Sequence, residues 1–75
     1  MVLPVLDARR VLRALKKAGF AEETTRGSHR KMVNPGPPRR VVSVPLHGSS
    51  DLKRKTLASI VRQAGMSDEE FTALL

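Results

Sequence analysis

The run Asn34-Pro35-Gly36-Pro37-Pro38 constrains this chain more than any other stretch. Proline fixes φ and lacks a backbone donor, so three prolines and a glycine in five residues exclude helix and force a turn. The chain must therefore reverse near its middle. The flanks of that turn have strand texture: His29 to Asn34 before it, and Arg40 to Pro45 after it with Val41, Val42 and Val44. An earlier stretch, Phe20 to Thr25, has no helical period and ends in two β-branched residues. Two hairpins then give a three-stranded antiparallel sheet.

Helical spacing brackets this sheet. From Ala8 to Ala18 the residues Ala8, Val11, Leu12, Leu15 and Ala18 make one apolar face, with Asp7 as the expected N-cap and Gly19 as the expected C′ residue. Arg9, Arg10, Arg13, Lys16 and Lys17 cover the other side. A second helix is expected from Asp51 to Ala64, capped by Ser50 or Asp51, with Leu52, Leu57, Ile60, Val61 and Ala64 buried. Ser67-Asp68-Glu69-Glu70 has the capping-box pattern and opens a short last helix, packed by Phe71, Leu74 and Leu75. The order is α-β-β-β-α with a short C-terminal helix, an α+β domain with both long helices on one face of the sheet. This is the element order of the double-stranded-RNA-binding fold.

At 75 residues the chain forms one domain, residues 1–75. A domain this small buries only about 60% of its unfolded surface, so chemistry must sit near the surface on a few side chains, and no cofactor is expected. Formal net charge is +7, and the middle carries most of it: from Thr24 to Arg62 there are nine bases against Asp51 alone. That distribution points to a polyanionic partner. An anionic membrane surface would also attract it, but no apolar run approaches the ~20 residues of a span. The start of the chain lacks the basic lead of a signal peptide, so a cytoplasmic location is expected. Tyr and Trp are absent and Phe20 and Phe71 are the only aromatics, which excludes the stacking platforms of single-strand binders. Recognition would rest on phosphates, helix shape and 2′-hydroxyls.

Two histidines are the candidates for chemistry, because imidazole titrates at ~6.5, close to working pH. His29 follows Gly27-Ser28 and is flanked by Arg26, Arg30 and Lys31. At the start of a strand among cations, His29 is suited to a scissile phosphate, as base toward a ribose 2′-hydroxyl or as acid toward the leaving oxygen. An ordinary hairpin histidine is the bland alternative. His47 lies in the loop before the second helix, whose first turn is expected to carry Lys53, Arg54 and Lys55. Bases oppose the helix dipole at that end, so three together there look placed for phosphate. Glu22 and Glu23 read as an exposed acidic pair. Cysteine is absent and the basic middle offers only two histidines and Asp51 as ligands, so metal independence is expected.

Three segments together resemble the HicA family, the toxin half of bacterial HicA–HicB toxin–antitoxin pairs. They are Leu15-Lys16-Lys17-Ala18-Gly19-Phe20, then Arg26-Gly27-Ser28-His29, then Val44-Pro45-Leu46-His47 through Leu52 to Thr56-Leu57-Ala58-Ser59-Ile60 and Arg62-Gln63-Ala64-Gly65. The resemblance implies a double-stranded-RNA-binding-like fold and a ribonuclease that degrades messenger RNA. It implies that His29 is catalytic, supported by Gly27 and Ser28, and that a HicB-type antitoxin covers the active surface, in a complex that can be of higher order. Two positions depart from the family pattern. The second helix lacks the usual Gly-Thr start, reading Lys53-Arg54-Lys55-Thr56, and Met32 replaces an aromatic common in the second strand. The resulting expectation is an RNA endonuclease toxin using His29, with Arg26, Arg30, Lys31, His47, Lys53, Arg54 and Lys55 on RNA. A non-catalytic double-stranded-RNA-binding module is the alternative, and a DNA-binding domain a third.

Overall fold

The computed structural model describes residues 3–46, 48 and 50–75. Its elements are α1 (Ala8–Lys17), β1 (Ala21–Arg26), β2 (His29–Asn34), β3 (Arg40–Pro45), α2 (Arg54–Gln63) and α3 (Asp68–Thr72). The strands form one antiparallel sheet in the order β1-β2-β3. The α-β-β-β-α layout read from the sequence is therefore present, and β2 and β3 have the expected bounds.

Register decides which face each strand residue takes. Met32 pairs with Val42, and both are fully buried, as is Val44 two residues on. These three share a face by the two-residue period of a strand. Against them lie Val11, Ala14 and Leu15 of α1, Leu57, Ile60 and Val61 of α2, and Phe71 of α3, all in one buried cluster. Both long helices thus cover the same face. The other face carries His29, Lys31 and Val33 of β2 beside their partners Pro45, Ser43 and Val41 of β3. Met32 fills core and meets no solvent.

The helix ends explain two of the recognised segments. Asp7 accepts a hydrogen bond from the Arg10 amide and caps α1. At its other end Phe20 N–H donates to the Leu15 carbonyl and Gly19 N–H to the Lys16 carbonyl. This is the Schellman pattern, which needs φ > 0 at Gly19, where φ is +95°. Phe20 therefore precedes β1, and its ring is buried beside the helix it terminates. The chain leaves α2 by the same two bonds, Met66 to Val61 and Gly65 to Arg62. Ala18-Gly19-Phe20 and Ala64-Gly65-Met66 are thus two copies of one stop signal.

The start of α2 differs from expectation. The helix begins at Arg54, and its N-cap is Lys53, which offers no side-chain cap. Ser50 and Asp51 do not cap it. Instead Asp51 bridges Asp7 in an extended pairing, and Leu52 N–H donates to the Leu6 carbonyl. Leu52 is buried from this extended segment, not from the helix. α3 opens on the expected capping box, with Ser67 and Glu70 each accepting from the other's backbone amide.

Candidate nucleic-acid interface

The hairpin of β1 and β2 places His29. Arg26 and His29 are the last cross-strand pair, so the loop between them is only Gly27-Ser28. Gly27 has φ +58°, and no non-glycine among the described residues, Ser28 included, has positive φ. A two-residue loop with positive φ at its first position only is the type II′ signature. A Cβ at Gly27 would meet nothing within 4 Å, so the demand for glycine comes from φ and not from space. The Ser28 carbonyl accepts from the Leu46 amide, which ties the turn to the end of β3. Gly27 and Ser28 therefore fix where His29 stands.

His29 is exposed and opens onto a groove on the uncovered face of the sheet. Glu23, Thr24, Arg26, Lys31, Val41 and Ser43 line it with His29. Sheet alternation brings Arg26 and Lys31 to this face. It sends Arg30 to the other, where Arg30 pairs with Val44 in register and its Nε lies 3.5 Å from Glu22 Oε1. Arg30 Nε also donates to Thr25 Oγ1. Of the three cations flanking His29 in sequence, two share its groove and one does not.

Glu23 enters the groove because of an irregularity in β1. The β1–β2 register shifts between Glu22 and Thr24, a bulge that sets both Glu23 and Thr24 opposite Lys31. Glu23 Oε1 lies 2.9 Å from Lys31 Nζ, and Glu23 Oε2 lies 3.6 Å from an Arg39 guanidinium nitrogen. The hydrogen bond from Lys31 and its charge, aided by Arg39, hold the Glu23 carboxyl below the usual carboxylate range. The acidic pair of the sequence is thus divided, Glu22 toward Arg30 and Glu23 toward Lys31.

Lys53, Arg54 and Lys55 are exposed at the start of α2. Lys53 lines a second groove with Pro45, Ser50, Asp51, Leu52 and Thr56. Pro45 is the cross-strand partner of His29, so one residue of each groove is paired across β2 and β3. His47 lies outside the described residues. No group of three His, Cys, Asp or Glu side chains comes together among the described residues. No helix among them is long and apolar enough to cross a membrane.

Sequence reasoning missed Glu23, Thr24, Val41 and Ser43 as residues sharing the groove with His29, and Arg39 as a partner of Glu23. Val41 and Ser43 follow once His29 is paired with Pro45, because open-face residues recur every second position. The bulge that brings in Glu23 has no sequence signature of its own.

A family model described as the HicA toxin of bacterial toxin–antitoxin matches residues 8–66, from the first residue of α1 to the last of the α2 stop signal. The chain belongs to the HicA toxin family. As a HicA toxin it is one half of a toxin–antitoxin pair, and its partner kind is an antitoxin. The matched span contains the Gly27-Ser28 turn, His29 and Lys53 to Lys55, and it ends before α3. No curated protein matches this HicA chain.

Proposed function

We propose that this HicA toxin is a metal-independent RNA endonuclease that cuts messenger RNA, with His29 as its general acid or base. The supporting observation is that His29 stands exposed on the uncovered sheet face, in one groove with Arg26 and Lys31. A phosphodiester held by those cations brings a ribose to the imidazole. His29 then takes the proton of the attacking 2′-hydroxyl, or gives one to the leaving 5′-oxygen. Lys53, Arg54 and Lys55 hold a neighbouring stretch of backbone at the start of α2, a positioning role without chemistry. His47 is proposed to join that surface. Arg30, held by Glu22 on the other face, contributes to the long-range field rather than to a contact beside His29. The antitoxin is of the HicB type and neutralises the toxin by covering this face, which no helix or strand among the described residues covers. The protein works in the cytoplasm, where messenger RNA is.

The test is expression of wild type and His29→Ala side by side, with cleavage of RNA by the purified proteins in the presence of EDTA. Growth arrest and EDTA-resistant cleavage by wild type alone are expected. Equal arrest by both proteins refutes a catalytic His29. RNA binding without cleavage by either leaves the non-catalytic binding module.

A further inference from the structure

The Glu23 carboxylate sits between two cations that come from different parts of the chain. Lys31 reaches it from the middle of β2, 2.9 Å from one oxygen, and Arg39 reaches it from the segment entering β3, 3.6 Å from the other. All three side chains are about half exposed, 44% for Glu23, 42% for Lys31 and 57% for Arg39. Exposed pairs of this kind add little stability. Holding the fold together is therefore a poor account of why a bulge turns an acid into this groove.

The chemistry of the arrangement is that of an anion site already filled. Ammonium and guanidinium groups take phosphate oxygens as they take carboxylate oxygens, by charge-assisted hydrogen bonds. Among the described residues Glu23 is the only acid lining a groove that also holds Arg26, His29 and Lys31. The cations there outnumber it, so the groove keeps a positive excess with the carboxylate in place. A polyphosphate backbone, which brings several charges at once, can displace a single exposed carboxylate.

We infer that Lys31 and Arg39 form a phosphodiester-binding subsite around Glu23, at the groove that Lys31 shares with His29, and that Glu23 occupies it in the free protein as a built-in competitor. The inference rests on the RNA reading above and adds Arg39 to the binding surface. Glu23 sets how strongly the groove takes RNA. It fills the subsite when RNA is absent and swings away when a phosphate enters.

The test measures binding of a 2′-O-methyl RNA oligonucleotide of mixed sequence, which cannot be cleaved through its 2′-oxygen, to the full chain over a range of salt. Glu23→Gln is expected to tighten binding about two- to tenfold, the competition of two exposed ion pairs removed. Glu69→Gln, an equal change of net charge on α3 away from the groove, reports the long-range contribution alone. Arg39→Gln is expected to weaken binding and lower the salt slope by about 0.7, one phosphate contact fewer. In a Lys31→Gln, Arg39→Gln background the gain from Glu23→Gln should shrink to that of Glu69→Gln. A Glu23→Gln protein that binds no tighter than Glu69→Gln, with its fold intact by thermal melting, overturns the subsite and leaves the RNA reading standing. Failure of the wild-type protein to bind RNA at all removes both.

Discussion

Arg26 and His29 face each other as the closing pair of the β1–β2 hairpin, separated along the chain only by Gly27 and Ser28. The pair is held in register by a turn whose first residue has φ +58°. Replacing Gly27 by alanine puts a Cβ into that region at a cost of about 1–2 kcal/mol, with no steric clash to add to it. We expect Gly27→Ala to lower stability by that amount in urea denaturation. It should also lower RNA cleavage at saturating RNA, because the turn that aims His29 is the element under strain. Full activity in a destabilised Gly27→Ala protein would separate the turn from the chemistry.

His29→Ala is expected to reduce cleavage about 10²–10⁴-fold, the usual contribution of one general acid–base group. Because His29 is exposed and makes no side-chain hydrogen bond among the described residues, stability should move by less than about 0.5 kcal/mol. Single-turnover kinetics paired with thermal melts measure both. A large loss of stability would mean that His29 acts through structure.

The first turn of α2 sets stability against binding. Arg54 and Lys55 stand where the helix dipole favours acids, and no acidic residue lies in that turn. Arg54→Glu should stabilise the domain by about 0.3–1 kcal/mol through the dipole. The same change should weaken RNA binding and flatten its salt dependence. Stabilisation without loss of binding would place the RNA elsewhere.

How much of this was legible in the sequence depends on the kind of signal. The prolines and glycine after Asn34 and the Ala-Gly stops after each long helix are local chemistry, and they put β2, β3 and the helix ends in place. Asp7 and the Ser67–Glu70 box were equally plain. The start of α2 misled because Leu52 is apolar, follows two candidate caps and is buried. Leu52 and Leu57 are five residues apart, however, and fall on different sides of a helix, which is the clue that Leu52 precedes it. At the candidate site, His29, Arg26 and Lys31 were readable as neighbours of one turn. Assigning Arg30 to the opposite face needed only the strand period. Glu23 and Arg39 were not readable, because a bulge and a contact across the sheet depend on tertiary structure.

Phe71 shows that the domain extends beyond the family match. It lies in α3, past residue 66, yet it is fully buried in the cluster with α1 and α2. Phe71→Ala should cost about 3–5 kcal/mol, the lost transfer energy plus a cavity. A domain of this size has on the order of 4–11 kcal/mol in total, so the variant should be partly unfolded near growth temperature. Chemical denaturation measures the loss. A change under 1 kcal/mol would make α3 an accessory to the core.

Acid should weaken the fold through two named carboxylates. Lys31, by hydrogen bond and charge, lowers the Glu23 pKa below its ordinary 4.5. Hydrogen bonds from the Ser67 backbone and side chain lower that of Glu70 below the same value. A carboxyl whose folded pKa is depressed binds protons more readily in the unfolded chain. Its stabilisation is therefore complete above about pH 4.5 and fades as pH falls through the folded value. Urea midpoints taken between pH 6 and pH 2 should fall less steeply for Glu70→Gln than for wild type, since glutamine can still accept from Ser67 but does not titrate. Glu23→Gln should flatten the curve as well. Because the Glu23–Lys31 pair is exposed, its share should shrink in high salt, while the short-range cap at Glu70 should keep its own. Parallel curves for wild type and both variants would mean that neither contact contributes to acid sensitivity.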